Sequence, residues 1–367
     1  MTSALFTETS LRGMHVPNRI VVSPMCQYSA IDGSATDWHL VHLGQMAMSG
    51  AGLLIIEATH VEAPGRITPK CLGLYSDENE TALARVIAFC REHGSAKLGI
   101  QLSHAGRKGS ARLPWDQRGA PLDPTDGGWP TLSCSGIPRA DGWPAPEALD
   151  EAGLQAVKDA HVDATRRADR LGLDLIEVNA AHGYLLHEFL SPHSNRREDA
   201  YGGVLANRMR YPLDVFAAMR AAWPDDKPMG VRISATDWLE DGWESDQAAV
   251  FCRALKALGC DYIAVSTGGL SLDQVIPLGE GHQVPFAAEI RKAAEIPTMA
   301  VGMIYEPRHA ESIIADQQSD FIAMARGMLF HPHWPWRAAA ALGGEVDYPP
   351  QYVRAYKSKW LRDIEGS

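Results

Sequence analysis

Between Ile20 and the C-terminal region, short apolar runs alternate with segments of helical period. The runs are Ile20 to Cys26, Gly52 to Thr59, Leu98 to His104, Leu173 to Ala180, Met229 to Ser234, Tyr262 to Thr267, Thr298 to Met303 and Phe321 to Ala325. Helical candidates such as Asp77 to Glu92, Asp150 to Leu171, Asn207 to Ala222 and Ser245 to Leu258 lie between them. Parallel strands need a crossover, so a repeated strand-then-helix pattern is that of a parallel sheet, and eight repeats predict an α/β fold, the (β/α)8 TIM barrel. A doubly wound sheet is the rival. It is weakened because no G-x-G-x-x-G follows any run, and Gly279-Glu280-Gly281 lacks the third glycine. The stretch 109–146 is rich in Pro, Gly, Trp and Asp with little periodicity, and is expected to be a lid-like excursion over the barrel mouth within one domain spanning 1–367. The segment 344–367, with Tyr348, Tyr352, Tyr356 and Trp360, is too aromatic for an indifferent solvated end and is expected to dock as an interface tail.

Composition narrows the function classes. The 367 residues are 46% hydrophobic and 22% charged, values that suit a globular core and not a disordered chain. A net charge of -11 repels nucleic-acid phosphates and anionic lipid, so neither is expected as a partner. No run is long enough to span a bilayer, and Met1 to Asn18 lacks the basic start and apolar middle of a signal peptide, which predicts a cytoplasmic protein. The six cysteines show no Cys-x-x-Cys pair, which argues for reduced thiols over a metal cluster.

Barrel enzymes work at the C-terminal ends of their strands, so polar residues there carry the information. Strand parity turns Ile176 and Val178 outward and Glu177 and Asn179 inward; likewise Val231 and Ile233 face out and Arg232 in. A buried Glu177–Arg232 ion pair holding register is one reading, but a cationic fork facing the mouth suits an electron-rich ligand edge. Asn179, His182 and Tyr184 share one loop: two donors for one oxygen and a phenol able to deliver a proton, the set needed to polarise a carbonyl while protonating a neighbouring carbon. Ser23 to Tyr28 and Gln101 offer small and amide groups to a flat heteroaromatic edge. Gly302 and Met303, with Ala325 and Arg326 in the adjacent loop, predict a phosphate site. A metal-dependent barrel hydrolase could be drawn from His39, His42, His60, His104 and His182, but acidic and histidine pairs do not recur at ligand spacing, and no metal is expected.

The segments PNRIVVSPMCQYSA, GLLIIEATHV, GIQLSHAGRK, NAAHGYLLHEFLSPHSNRREDAYGGVLANRMR, MGVRISATD and VGMI resemble, in order and spacing, the Old Yellow Enzyme family of flavin-dependent ene-reductases. Cys26 with Tyr28 is similar to its bacterial, thermophilic-like branch. The resemblance implies FMN as cofactor and NADPH or NADH as reductant. Ser23, Pro24, Met25 and Cys26 would line the isoalloxazine, Ala58 and Gln101 its edge, Arg232 its N1 and O2 side, and Gly302, Met303, Ala325 and Arg326 the phosphate. It further implies activated alkenes as substrates, Asn179 and His182 on the substrate oxygen, Tyr184 as proton donor, and Tyr28 and Arg354 as substrate contacts. Many members place histidine first in the donor pair, whereas here asparagine comes first. In this branch Cys26 would tune the flavin, and the segment around Arg354 would reach the neighbouring subunit of a homodimer or dimer of dimers. A flavin-binding protein with little turnover is the alternative from a different class.

Overall fold

The computed structural model describes residues 3–356. Eight parallel strands close into a barrel: β1 (Ile20–Val22), β2 (Leu53–His60), β3 (Lys97–Ser103), β4 (Leu175–Ala180), β5 (Met229–Ser234), β6 (Tyr262–Ser266), β7 (Thr298–Val301) and β8 (Phe321–Met324). β8 pairs with β1 and β6 with both β5 and β7, so the sheet has no free edge. Each apolar run of the sequence yields a strand. The first is shorter than expected, ending at Val22 and not Cys26, because Pro24 has no N–H for a ladder and the chain from Ser23 runs out over the mouth.

The α-helices are α1 (Asp37–Ala47), α2 (Asp77–His93), α3 (Glu151–Arg170), α4 (Leu185–Leu190), α5 (Leu205–Ala222), α6 (Ser245–Ala257), α7 (Val284–Ala294), α8 (Pro307–Ala315), α9 (Arg326–Phe330), α10 (Trp334–Leu342) and the single turn α11 (Val353–Tyr356). Caps fix several starts: Ser76 accepts the Asn79 N–H ahead of α2, and Asp150 accepts the Gly153 N–H ahead of α3. Among the described residues no helix is long and apolar enough to cross a membrane.

Parity behaves as the sequence predicts. Ile176, Val178, Val231 and Ile233 join the core between sheet and helices. Val21, Leu53, Ile55, Leu175, Tyr262, Met299 and Phe321 fill the barrel interior together with Leu11, Met14 and Val16. Those last three come from an N-terminal hairpin, Thr9–Leu11 against Met14–Val16, which caps the barrel at the end away from the strand C-termini. Burying each large aliphatic side chain stabilises by about 1.5–3 kcal/mol, so this lower half is a rigid base for the upper one. Two glycines make room: a Cβ at Gly99 would lie 2.7 Å from Leu175, and one at Gly230 only 2.2 Å from the Tyr262 ring.

Between β3 and α3 the chain forms only short turns and a two-residue pairing of Leu132–Ser133 with Glu147–Ala148. In the tail, Tyr348 and Tyr352 pack on Trp336 of α10, at ring separations of 4.6 and 5.9 Å. Arg354 is exposed, and the tail from 357 onward, including Trp360, lies outside the described residues.

Candidate active site

Above the apolar base, the inward residues of β3 to β6 turn polar and bond to one another. The Asn179 amide donates to Gln101 Oε1 at 3.0 Å, Gln101 Nε2 donates to Glu177 Oε1 at 2.7 Å, and the Tyr262 hydroxyl donates to Glu177 Oε2 at 3.2 Å. Arg232 lies alongside, donating to Ser23 Oγ and Ser266 Oγ at 2.9 and 3.0 Å. Glu177 and Arg232 make no direct ion pair, so the register-holding salt bridge drawn from the sequence is replaced by two separate hydrogen-bonded groups. They still act on each other. Burial pushes the Glu177 carboxyl up, against the opposing Arg232 charge and the two hydrogen bonds, and burial pulls Arg232 down against Glu177. Arg232 uses two N–H groups on these serines and keeps three for a ligand at the mouth.

The loop after β4 carries Asn179, His182 and Tyr184 to the rim. The His182 N–H donates to Ser234 Oγ at 2.9 Å, and the rings of His182 and Tyr184 meet edge to face at 6.3 Å. Gly183 takes a positive φ of 70°, and its N–H donates to His187 Nδ1 at 2.8 Å. That acceptor role leaves the His187 proton on Nε2, which faces Asp237 Oδ1 at 3.0 Å in a fully buried pair beneath the loop. Burial holds the His182 imidazole well below its ordinary value, helped by the charges of Arg232, Lys108 and His187, so it is neutral at pH 7. The Tyr184 phenol is pushed well above its ordinary value by burial, then by Cys26, Tyr28 and Cys71, so it keeps its proton. Its hydroxyl makes no hydrogen bond among the described residues. Asn179 is only half available: one amide hydrogen goes to Gln101, and its oxygen accepts the Ala181 N–H.

Across the mouth, Cys26, Tyr28, Tyr184 and Trp143 pack together on Ile67, Cys71, Ala105 and Ala111. Burial, then the Glu57 charge, pushes the Cys26 thiol well above its ordinary value, and all six cysteines are free thiols. Sequence reasoning passed over Glu57. It bulges out of β2, a slip that brings Ala58 level with Gln101, and its carboxylate accepts the Gln27 N–H and faces His39 Nε2 at 3.3 Å. A lone acid inside the run LLIIEATH was the available signal. Lys108 was also missed: its Nζ donates to the carbonyls of His182 (2.7 Å) and Gly269 (2.9 Å) and lies 4.9 Å from the Tyr184 ring centroid.

At the ends of β7 and β8, Gly302 has φ 114° and a Cβ there would meet Gln283 Nε2 at 2.4 Å. Met303 follows in the left-handed region at φ 54°, as do Tyr28 at 51° and His182 at 58°. Such conformations cost on the order of 1–3 kcal/mol each. Ala325 precedes α9, and the exposed Arg326 guanidinium has no partner among the described residues.

The match of a family model, NADH:flavin oxidoreductase / NADH oxidase, to residues 4–345 decides the assignment. The chain belongs to this family. An NADPH dehydrogenase of Geobacillus thermodenitrificans is 38% identical over 359 residues, covering 97% of this chain and all of that one. Another, from Listeria innocua, is 42% identical over 357 residues with the same coverage. The solved structure of morphinone reductase superposes with a TM-score of 0.76 at 24% identity, covering 96% of this chain and 93% of that one, which establishes the barrel. As an NADH:flavin oxidoreductase, the enzyme takes FMN as cofactor and a nicotinamide dinucleotide as reductant. The residues here fit that group: Arg232 has N–H groups left over at the mouth, and the exposed Arg326, at the end of the strand next to the one that leads to Gly302, has no partner among the described residues. Among the described residues, no three His, Cys, Asp or Glu side chains gather as a metal site.

Proposed function

We propose that the enzyme uses NADPH or NADH to reduce the C=C bond of α,β-unsaturated carbonyl or nitro compounds. The observation that carries this reading is the Tyr184 phenol, which holds its proton and has no hydrogen-bond partner among the described residues, beside a neutral His182. FMN supplies the two-electron exchange between dinucleotide and alkene. Ser23, Pro24, Met25, Cys26, Ala58, Gln101 and Arg232 would hold its ring system, and Gly302, Met303, Ala325 and Arg326 its phosphate.

His182 and the remaining amide hydrogen of Asn179 donate to the substrate oxygen, drawing electron density from the conjugated carbons as charge develops there. Tyr184 passes its hydroxyl proton to the α-carbon. Tyr28 and Trp143 wall the pocket and exclude water. The proposed assembly is a cytoplasmic homodimer, or a dimer of dimers, in which Arg354 reaches the neighbouring site.

Anaerobic stopped-flow separates the two half-reactions. NADPH bleaches the flavin band and 2-cyclohexenone restores it; Tyr184→Phe slows the second phase about 10²-fold or more and leaves the first unchanged. Wild-type rates in both phases of Tyr184→Phe would overturn the assignment of the proton donor. A flavin that bleaches but is not reoxidised by any enone or nitroalkene would overturn the alkene reading itself.

A further inference from the structure

The chain is acidic overall, yet the rim of the pocket gathers cations. Lys108 and Arg107 follow β3, and Arg139 lies in the excursion above them. Arg107 is turned to structure: its two terminal guanidinium nitrogens donate to the carbonyls of Ile137, Pro138 and Leu270, and its backbone N–H to Glu188. Lys108 gives two protons to carbonyls and keeps a third. Arg139 is different. Its half-buried guanidinium makes no hydrogen bond or ion pair among the described residues. It lies 4.6 Å over the Trp143 ring, and Trp143 packs into the Cys26, Tyr28 and Tyr184 cluster. Its charge acts on both the Tyr184 phenol and the Lys108 ammonium.

A guanidinium held by stacking alone is oriented without its donors being used, and five N–H groups at a half-buried rim call for an acceptor from outside. The nearby carboxylate does not serve. Glu188 is fully buried and accepts the Arg107 backbone N–H and the Ser133 hydroxyl.

We propose that Arg139, with Lys108, forms an anion subsite at the pocket rim that takes an anionic oxygen group. Two sources share this chemistry: a carboxylate on the unsaturated substrate, beyond the oxygen held at Asn179 and His182, or a phosphate of the nicotinamide dinucleotide. The first source rests on the alkene reading above.

The test compares 4-oxopent-2-enoate with its neutral methyl ester in the holoenzyme and in Arg139→Gln and Arg139→Lys. Binding of the saturated acid 4-oxopentanoate is measured by calorimetry as a readout free of turnover. Losing a charged hydrogen-bonding group costs roughly tenfold or more, so the substrate arm predicts that Arg139→Gln raises KM for the acid and Kd for 4-oxopentanoate by about that factor. KM for the ester stays put, and Arg139→Lys recovers part of the loss. The dinucleotide arm predicts the same rise in KM for NADPH, measured with ferricyanide as acceptor, with acid and ester unaffected. No shift in either arm, or equal shifts for acid and ester, overturns the subsite. Failure of the wild-type enzyme to reduce even the ester strikes the alkene reading instead, and leaves the calorimetric and NADPH arms to decide on Arg139.

Discussion

The contact between the loop after β4, which carries His182 and Tyr184, and the loop after β6 is backbone against backbone, and Gly183→Ala perturbs it directly. At φ 70° an added Cβ would lie 2.5 Å from the Gly269 carbonyl oxygen and 2.7 Å from the Leu270 Cα. Ordinary contact begins at 3.4 Å, so the loops must part by about 0.9 Å (3.4 minus 2.5). No flexible side chain can absorb that. The movement falls on His182 and Tyr184, which flank the glycine, and on Gly269, the carbonyl that Lys108 binds. A displacement near 1 Å in positioned groups costs about 10²-fold in rate. The left-handed φ adds its own strain of roughly 1–2 kcal/mol for an L-residue. Gly172 separates the two effects, since it has the same φ of 70° and a Cβ added there would meet nothing within 4 Å. Gly172→Ala is therefore expected to lower stability by about 1 kcal/mol in urea unfolding and to leave turnover unchanged. Gly183→Ala is expected to lose more stability and about 10²-fold in the rate at which 2-cyclohexenone reoxidises the flavin, with FMN content retained. If the two variants match within twofold in rate and in unfolding midpoint, the loops yield without moving the catalytic groups and the reasoning fails.

Three other outcomes follow from named contacts. Arg232→Ala removes the cation and its remaining donors from the mouth, and purified protein should carry less FMN or show a lowered flavin reduction potential; full occupancy with an unchanged potential would remove Arg232 from the site. His187→Phe removes the imidazole that faces the buried Asp237 carboxylate, which keeps the Ser191 hydroxyl and the Trp243 N–H, and should cost on the order of 1–3 kcal/mol in denaturant unfolding, part of it recovered by adding Asp237→Leu. Lys108 is pushed down to about 7 by burial and Arg139, with Arg107 adding to this and Glu188 opposing it. It is charged below that pH and neutral above it, so 4-oxopentanoate affinity should fall as pH rises through about 7 with uptake of a proton on binding. Lys108→Met should flatten that dependence, which calorimetry in buffers of different ionisation enthalpy reads directly.

The barrel was legible because its strands obey period two and its helices a longer one. Ile176 and Val231 had to face the helices, which sent Glu177 and Arg232 inward, and the structure agrees. The separate hydrogen-bond partners of those two charges were not legible. Gln101 reaches Glu177 from 76 positions away and Ser23 reaches Arg232 from 209, distances over which local pattern says nothing. The bulge at Glu57 flips the parity of β2 at one residue, so alternation alone misplaces it. Nothing in the local pattern singles out Lys108, just after β3, or Arg139, inside the aperiodic stretch. Only the folded excursion shows that one is tied to the carbonyls of His182 and Gly269 while the other stacks on Trp143.

The way that excursion is tethered has a bearing on how such enzymes diversify. Arg107 grips Ile137, Pro138 and Leu270 only through their carbonyl oxygens, which every amino acid possesses. The side chains of the less buried Ile137 and Pro138 can therefore drift, and so can those of Arg139 and Trp143 nearby, while the segment stays tied to Arg107. Arg107 itself has no such latitude. Because the closed sheet below has no open edge to expose, a remodelled excursion risks neither strand exchange nor aggregation. New substrate preferences can then be tried by exchanging side chains on a clamped ribbon, with the flavin chamber and its barrel left as they are.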